Sequence, residues 1–600
     1  MSLTKKLILL ISITLLTYLP SFWNQFVWDD EQFIYKNQYV INFNVVKIFT
    51  QNTVAGAGQK SDYFRPLTTL SFALDHQVWG LSPFGFHLTN TLLHIAAGLL
   101  LYLLLTQLGF SQRNSKIVAD LSFWVTLFFL IQPIQTEAVT YINSRGDSLF
   151  TLFGLLSVYL FSLSFEKKVR IGKYDIARYL LLTSSLITYF ASILSKEIGI
   201  IMPGLWGLIL LFQLIKAVKN YKNIIPTLLE YKLQVITLIS SLILAGFYMF
   251  LRSTIWNFVD SFNLYHQQNQ YTSSLLIRLL TFTKIIFIYL RLLLFPYPLH
   301  MERDTALAQN LTSVWPWLLI ILISSILGLG YYEFLKKKTS WIWFGLIWFF
   351  ICLVPVSGII PINGLLYEHW LYLPMIGFYI VIFRTITIIF GEIARKINQP
   401  LTLYPLLLIT SLYILLTLRQ NWIWRNPISF YEYQLQYSVS ARMLNNLAMA
   451  YSDQKNPQKA IEYYQKAIAF SDAYPQTHHN LANAYLDLFE LEKAKQEFLL
   501  AIKMNPDFDL AYGPLVNIYL TQKDYAKASE TLNILVGKYP DNLEFQLVKA
   551  QLLIKLGQKP SASKLLEQIL IKSNNHPQVK TLVDKILNSE IATPAAKINK

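Results

Sequence analysis

Long apolar runs separated by short charged loops fill most of this chain. Runs of spanning length lie near 7–23, 87–107, 117–134, 148–165, 178–194, 198–216, 233–251, 313–332, 341–355, 371–390 and 401–418. Roughly 20 apolar residues cross the hydrocarbon core of a bilayer. The pattern therefore predicts a polytopic bundle of roughly eleven spans, each about that length.

One further apolar segment, 274–295, does not fit this pattern cleanly. It carries Arg278, Lys284 and Arg291 inside its apolar run. Cations are costly on a helix that faces lipid. We expect this segment to be buried in the bundle or to lie at the outer surface.

The C-terminal part of the chain is charged, helix-periodic and internally repeated. Positions recur every 34 residues in three series, which are Leu447, Leu481 and Leu515; Tyr451, Tyr485 and Tyr519; and Ala460, Ala494 and Ala528. Ala562 continues the alanine series into a weaker fourth unit. A helix-turn-helix period of 34 residues is the tetratricopeptide signature.

These patterns together predict an all-α protein, a membrane helix bundle followed by an α-solenoid. We place the transmembrane domain at 1–430, with 24–86 as its first outer loop. A repeat domain of about four units occupies 431–587. The polar tail 588–600 is predicted to be disordered.

Composition supports a membrane protein and narrows its partners. Of 600 residues, 54% are hydrophobic and only 14% are charged. The net charge of +16 comes largely from loop lysines and arginines, so we interpret it as a topology signal and expect no nucleic acid partner. The single cysteine, Cys352, excludes an intrachain disulfide and a cysteine-based zinc cluster.

Loop charge predicts the orientation of the bundle. Two loops rich in cations should face the cytoplasm, and their cations are Lys167, Lys168, Arg170, Lys173, Arg178, Lys216, Lys219, Lys222 and Lys232. Alternation then places the N-terminus inside and the repeats outside. We expect a multi-pass protein of the plasma (inner) membrane.

The stretch Trp28-Asp29-Asp30-Glu31 follows the first span and concentrates negative charge at the predicted outer mouth. Asp29 and Asp30 have three possible roles. Aspartate caps helices well, because it accepts hydrogen bonds from free backbone N–H groups. A carboxylate can also serve as general base for an attacking hydroxyl, or as a ligand of a divalent metal.

A second group of ionisable residues, Glu137, Arg145 and Asp147, lies in another predicted outer loop. They could simply pair with each other. Alternatively, Arg145 could clamp a phosphate, since its fork of donors matches phosphate oxygens. Two more ionic sites occur at helix ends, namely Lys196-Glu197 and Glu368-His369.

In combination these motifs resemble the TMTC-type O-mannosyltransferases, which carry tetratricopeptide repeats and belong to the GT-C class of membrane glycosyltransferases. The resemblance covers nearly the whole chain and rests on seven elements in family order. They are Val27 to Asp30; Phe64-Arg65-Pro66-Leu67; Phe86-His87 to Asn90 with His94; Pro133 to Val139 with Arg145 and Asp147; Ser195 to Gly199; Glu368 to Pro374; and the repeats.

The resemblance implies a sugar donor linked to a polyprenyl phosphate and transfer with inversion, with mannose as the candidate sugar. By analogy, Asp29 is the base for the acceptor hydroxyl and Asp30 supports it. Arg145, Lys196 and Arg291 would bind the donor phosphate, in that order. The residues that would support the site are Glu137, Asp147, Glu197, Glu368 and His369.

The sequence departs from the family pattern at two places. The usual His-Pro-x-His reads Gln132-Pro133-Ile134-Gln135, and the usual Glu-Arg reads Glu368-His369. A divalent metal is therefore possible but not indicated, and no cofactor is assigned. Histidine in place of arginine removes a permanent cation.

The repeats also suggest where an acceptor binds. Asn446 and Asn480 share one repeat position, and Asn483 and Asn517 share another three residues further along. Residues three apart share a helical face. Such a ladder could hold the backbone of an acceptor protein, although the repeats could instead bind another partner or pack on the membrane domain.

Two other functions remain open at this point. The chain could be a non-catalytic membrane scaffold whose repeats recruit envelope or secretion partners. It could also be a GT-C enzyme that acts on a glycan or lipid acceptor. In each case membrane lipids surround the bundle.

Overall fold

A computed structural model describes most of the chain. The described residues are 2–111, 120–166, 176–218, 224–258, 270–303, 305–337, 340–360, 362, 364–397, 403–573 and 577–588. Some positions used above lie outside these ranges, namely the loop cations Lys167, Lys168, Arg170, Lys173, Lys219 and Lys222 and the predicted tail from 589 onward.

The chain divides into two compact units, Met1–Gln434 and Leu435–Lys600. We call the first the membrane unit and the second the repeat unit. The described residues form helices and contain no strand. The predicted all-α fold class is thereby confirmed.

The membrane unit is built from long apolar helices. Within the described residues, eight helices are long and apolar enough to cross a membrane, namely Leu3–Trp23, Pro83–Leu108, Ile142–Leu163, Ile176–Ser195, Glu197–Ala217, Lys232–Ser253, Val314–Lys336 and Tyr404–Ile423. Three shorter apolar helices are Leu121–Ile131, Trp341–Val356 and Pro374–Ile389. These helices correspond one for one to the predicted spans, so the chain is a multi-pass membrane protein.

Small residues allow two of these helices to approach closely. A Cβ atom added at Gly345 would lie 2.6 Å from the carbonyl oxygen of Gly377, and one added at Gly377 would lie 2.3 Å from the carbonyl oxygen of Gly345. Larger side chains would therefore push the helices apart. Such glycine contacts let membrane helices gain dispersion energy where lipid removes the usual hydrophobic driving force.

The ambiguous segment forms the helix Leu275–Leu294, and one of its faces packs into the bundle. Arg278 is buried on that face and donates to the backbone carbonyl of Gly358 at 2.6 Å and to that of Thr272 at 2.8 Å. Lys284 donates to the carbonyl of Ala306 at 3.0 Å. The cations thus satisfy backbone groups, which supports the interpretation that this segment is buried in the bundle.

The segment 24–86 is more ordered than a loop. Its helices are Glu31–Tyr35, Gln38–Ile41, Val45–Thr50, Ala55–Ala57 and Pro66–Trp79. A core of its own joins Ile34, Val40 and Phe72 to Phe86 and Ile142 of the bundle. Sequence patterning missed these helices because most of them span only one or two turns.

The repeat unit consists of antiparallel helix pairs. The helices are Ala441–Asp453 with Pro457–Phe470, Pro475–Asp487 with Leu491–Met504, Tyr512–Thr521 with Tyr525–Lys538, Leu543–Lys555 with Lys559–Lys572, and Pro577–Asn588. The four repeat alanines, from Ala460 to Ala562, are completely buried. Small side chains at these positions allow the paired helices to pack closely.

The turn inside each helix pair also repeats. Lys455, Phe489, Lys523 and Gly557 each have a positive φ, between 59° and 77°, and follow one another at intervals of 34 residues. This left-handed conformation disfavours any residue with a Cβ atom. Three of the four repeats therefore tolerate strain that glycine avoids in the fourth.

We predict opposite effects for two substitutions in these turns. Gly557→Ala should lower local stability by about 1–2 kcal/mol, whereas Lys523→Gly should be neutral or stabilising, because only the first introduces a Cβ atom at positive φ. Hydrogen exchange of the amides in Leu543–Lys555 and Tyr525–Lys538 would measure both changes. Equal changes in the two variants would contradict the strain argument.

Candidate active site

The two aspartates of the acidic stretch have different environments. Asp30 is buried and accepts hydrogen bonds from the backbone N–H groups of Val27 and Asn143, each at 2.9 Å. Burial raises the pKa of Asp30 to about 8, although these two N–H groups oppose the shift. Asp29 is partly exposed. Asp30 therefore fastens the acidic stretch to the loop at Asn143, while Asp29 keeps an accessible side.

The backbone around these carboxyls is held in an unusual conformation. Trp28 has φ of 60°, and its ring packs on Tyr431 with a centroid distance of 5.7 Å. The backbone N–H of Asp29 donates to the hydroxyl of Tyr141 at 3.2 Å, and the Tyr141 ring stacks on Trp424. Strained backbone that several contacts hold in place is common at functional sites.

The helix-capping interpretation does not describe Asp30. Asp30 precedes the short helix Glu31–Tyr35, yet its side chain makes no capping hydrogen bond there. Its oxygens are used by Val27 and Asn143 instead. The carboxyl joins two segments that are far apart in sequence.

Arg145 was predicted as the first choice for a phosphate ligand, and the structure shows its donors already engaged. The side chain is completely buried and pairs with Asp75. It also donates to the Asn90 amide oxygen at 2.6 Å and to the Phe86 carbonyl at 3.0 Å. The phosphate role stays an untested prediction, but we move Arg145 from the first to the last position among the candidates.

Lys196 and Glu197 pair with residues from two other segments. The ammonium of Lys196 lies 2.7 Å from both carboxylate oxygens of Asp147. Glu197 accepts from the guanidinium of Arg65 at 3.0 Å. The Lys196 side chain is buried, whereas Arg65 and Glu197 are 18% and 29% exposed.

Glu137 and Glu368 form a second pair of ionic contacts nearby. Glu137 accepts from the ring Nδ1 of His369 at 2.7 Å and from the backbone N–H of His369 at 3.1 Å. Glu368 pairs with Arg303 and accepts from the backbone N–H of His300 at 2.8 Å. Burial raises the pKa of Glu137 and of Glu368 to about 7.

These contacts bring most of the predicted membrane-unit residues to one end of the unit. Asp30 touches the loop at Asn143, two residues before Arg145, and Asp147 then contacts Lys196. The Lys196 ammonium in turn contributes to the electrostatics of Glu137 and His369. Arg291 is exposed near the end of its helix and lies outside this chain of contacts.

The two glutamines that replace the histidines of the family motif have structural roles here. The amide of Gln132 donates to the Leu293 carbonyl at 2.9 Å and to the Tyr379 hydroxyl at 2.7 Å. Gln135 donates to the Phe129 carbonyl at 3.1 Å. Within the described residues, no group of three or more histidine, cysteine or acidic side chains could hold a metal ion.

The motif element that contains Asn90 and His94 contacts two other motif elements inside the bundle. The ring Nδ1 of His94 lies 2.6 Å from the Tyr372 hydroxyl, and its Nε2 lies 3.0 Å from the Leu130 carbonyl. Asn90 donates to the Val139 carbonyl at 3.1 Å. The motifs are therefore adjacent in space, although they are distant in sequence.

The four predicted asparagines lie on the first helices of their repeats. Asn446, Asn480 and Asn483 are partly exposed, and Asn517 is exposed. The Asn483 amide lies 3.0 Å from Nε2 of His479. This placement leaves the predicted acceptor ladder accessible to a ligand.

Sequence reasoning missed three residues that organise this end of the unit. Asp75 pairs with Arg145, Arg303 pairs with Glu368, and Tyr141 holds the backbone of Asp29. Asp75 alone offered a signal, as an acid within the apolar helix Pro66–Trp79. The other two depend on contacts that no spacing rule reveals.

The membrane unit and the repeat unit together define a class, a multi-pass membrane protein with C-terminal tetratricopeptide repeats. Models of the tetratricopeptide repeat match residues 441–471, 475–508 and 519–586. Among solved structures, the crystal structure of MamA is 21% identical and covers 25% of this chain and 89% of that chain, with a TM-score of 0.24. That score is too low to support an inference.

Curated relatives narrow the class further. The chain is 24% identical to the protein O-mannosyl-transferase F38B6.6 of Caenorhabditis elegans, across 79% of this chain and 64% of that protein. It is 24% identical to TMTC3 of Mus musculus, across 77% of this chain and 51% of that protein. It is 30% identical to TMTC2 of Homo sapiens, across 51% of this chain and 36% of that protein. Both of these are named protein O-mannosyl-transferases.

The resemblance to TMTC-type protein O-mannosyltransferases is confirmed by these relatives. The chain spans between 36% and 64% of the length of the three relatives described.

The difference between Arg145 and Arg291 is testable. Arg145→Met should lower the free energy of unfolding by about 3–5 kcal/mol, because it leaves the Asp75 carboxylate buried without its cation. Arg291→Met removes an exposed cation and should change that free energy by less than about 0.5 kcal/mol. Unfolding by titration with a denaturing detergent measures both. Similar losses in the two variants would contradict the structural role of Arg145.

Proposed function

We propose that this protein is an integral-membrane glycosyltransferase that moves a sugar from a polyprenyl phosphate to serine or threonine hydroxyls of proteins. The observation that carries the proposal is a partly exposed Asp29 next to a buried, anchored Asp30, in a unit that also holds Arg65 and Lys196 in ion pairs. The similarity to named O-mannosyl-transferases supports mannose as the sugar. Transfer would invert the anomeric centre.

Asp29 acts as the general base in this proposal. As the acceptor oxygen attacks the anomeric carbon, Asp29 takes the hydroxyl proton and the bond from that carbon to the phosphate oxygen breaks. Asp30 is a positioning residue that holds the loop through Asn143. Because the pKa of Asp30 is raised to about 8 and its oxygens accept two backbone N–H groups, the partly exposed Asp29 is better suited to accept a proton.

Cations on the opposite side of the reaction would stabilise the leaving phosphate. Lys196 and Arg65 are our first choices, because both lie in the same ionic group as Glu197 and Asp147. Arg291 is exposed at its helix end and could meet a lipid phosphate at the interface. Lys196 pairs with Asp147 and Arg65 pairs with Glu197, so a phosphate must compete with these carboxylates for the two cations.

The orientation of the protein follows from its loop charge. We place the N-terminus in the cytoplasm and Asp29, together with the repeats, on the outer face of the inner membrane. A lipid-linked donor and an exported acceptor would then meet on the same side. Cleavage of the repeats by protease in intact spheroplasts tests this, and protection would overturn the outside assignment.

Asp29→Asn should lower the rate of transfer by about 10²–10⁴-fold, the usual worth of a positioned general base. Glu31→Gln is a matched control, because Glu31 lies two residues away, pairs with Lys36 and has no role in the reaction. The assay follows transfer by purified protein from a panel of lipid-phosphate sugars. Full activity in Asp29→Asn would remove Asp29 from the base role.

The asparagine ladder generates a separate prediction. Asn480→Ala combined with Asn483→Ala should raise KM for a peptide acceptor by about tenfold, since two backbone contacts of about 0.5–1.5 kcal/mol each are lost. The value of kcat should stay within about twofold, because the membrane unit is unaltered. An unchanged KM would favour a repeat unit that serves another partner or a non-protein acceptor.

A further inference from the structure

Glu137 and His369 form a carboxylate–imidazole pair that the reaction described above does not use. One oxygen of Glu137 accepts from Nδ1 of His369 at 2.7 Å, and the other accepts from the backbone N–H of His369 at 3.1 Å. The carboxylate thus fixes both the ring orientation and the position of the ring proton. The second nitrogen, Nε2, is left for another partner.

The pair combines burial with limited access. The Glu137 side chain is 2% exposed, whereas 17% of the His369 side chain reaches the surface. The His369 ring stacks on Tyr367 at a centroid distance of 5.5 Å, with an interplanar angle of 22°. A stacked ring with a fixed tautomer is well prepared to exchange a proton with a bound ligand.

Charged groups from four separate segments act electrostatically on this pair. Lys196, Asp147 and Arg65 contribute to the electrostatics of the imidazole, and Lys196 and Arg303 contribute to that of Glu137. The adjacent Glu368 interacts with Glu137 and binds Arg303. The imidazole therefore feels the charges of Lys196 and Arg65, our candidates for the leaving phosphate.

The titration of the two groups is consistent with a proton shared between them. Burial and, to a smaller extent, the charge of Lys196 lower the pKa of His369 to about 3. Burial raises the pKa of Glu137 to about 7. Interacting groups of this kind take up protons as a unit. As the pH falls to about neutral, the pair therefore takes up a second proton, in addition to the proton that lies between Glu137 and Nδ1 of His369.

We propose that the Glu137–His369 pair is the proton donor to the leaving phosphate of the transferred sugar. This inference rests on the proposed glycosyl transfer. As the bond between the anomeric carbon and the phosphate oxygen breaks, that oxygen keeps the electron pair and takes the proton from Nε2 of His369. The acceptor proton goes to Asp29, and the pair then regains its proton from water.

This role also accounts for the departure from the family pattern. Where arginine would supply a permanent cation, the protonated Glu137–His369 pair supplies a proton that Nε2 can transfer. As Nε2 gives up its proton, the proton on Glu137 moves to Nδ1, so the ring stays neutral. The chain would then supply general acid catalysis at this position.

The pH profile of transfer tests the proposal. The wild-type rate should fall as pH rises above about 7, because the pair then loses the proton that it must donate. His369→Arg should keep substantial activity near neutral pH but lose this alkaline fall, since arginine stays charged. His300→Gln is the control, because the ring Nδ1 of His300 lies 2.8 Å from the Glu302 carbonyl and has no part in the proposed proton transfer, so the alkaline fall should stay in place.

A second variant covers the case in which arginine is not accommodated. His369→Gln should lower kcat by about 10²-fold at neutral pH and leave KM for the donor within about threefold, because it removes the proton but keeps a polar side chain. An alkaline fall that persists in folded His369→Arg would overturn the proposal. So would a wild-type rate that does not fall above neutral pH.

A measurement without substrate separates this proposal from the proposed function. Infrared difference spectra across the neutral range should show, beside the protonations of Glu368 and Asp30, a carboxyl or imidazole protonation in wild type that is lost in Glu137→Gln and in His369→Arg. Identical spectra in all three proteins would overturn the shared proton. If wild type transfers no sugar from any donor, the proposed function and the acid role fail together, even where the spectra show the shared proton.

Discussion

Charge buried away from water must be paired, and this constraint organises the functional end of the membrane unit. An unpaired ion in a low-dielectric environment costs several kcal/mol. Arg145 lies against Asp75, Lys196 against Asp147, and Glu368 against Arg303. Because the partners come from distant segments, each pair also ties two parts of the chain together.

The pairing clarifies which cations can meet a ligand. A guanidinium whose three nitrogens each contact a protein group, such as that of Arg145, contributes to the architecture of the site. A cation with partial exposure, such as Arg65, can exchange its carboxylate partner for a phosphate at lower cost. The strained backbone at Trp28 belongs to the same arrangement, since aromatic packing on Tyr431 and the Asp30 contacts hold the acidic stretch in place.

The repeat unit depends on a different balance. Its contacts are mostly local, because each helix packs on the next and on the neighbouring repeat. The lysines of successive repeats lie over the repeat tyrosines, with Lys459 4.8 Å from the Tyr451 ring and Lys493 5.3 Å from the Tyr485 ring. Residues that recur every 34 positions therefore occupy equivalent places in successive helix pairs, so the sequence pattern alone reveals the repeats.

The amino-acid sequence by itself determined the helical spans, the period of the solenoid and the family resemblance, since these depend on hydrophobicity and local spacing. It also located the acidic stretch, but spacing could not separate Asp29 from Asp30. Only the tertiary structure decided that the buried Asp30 accepts a hydrogen bond from Asn143, that Arg145 pairs with Asp75 and that His369 contacts Glu137. These outcomes depend on which distant segments meet, and no local pattern records the burial that then alters their chemistry.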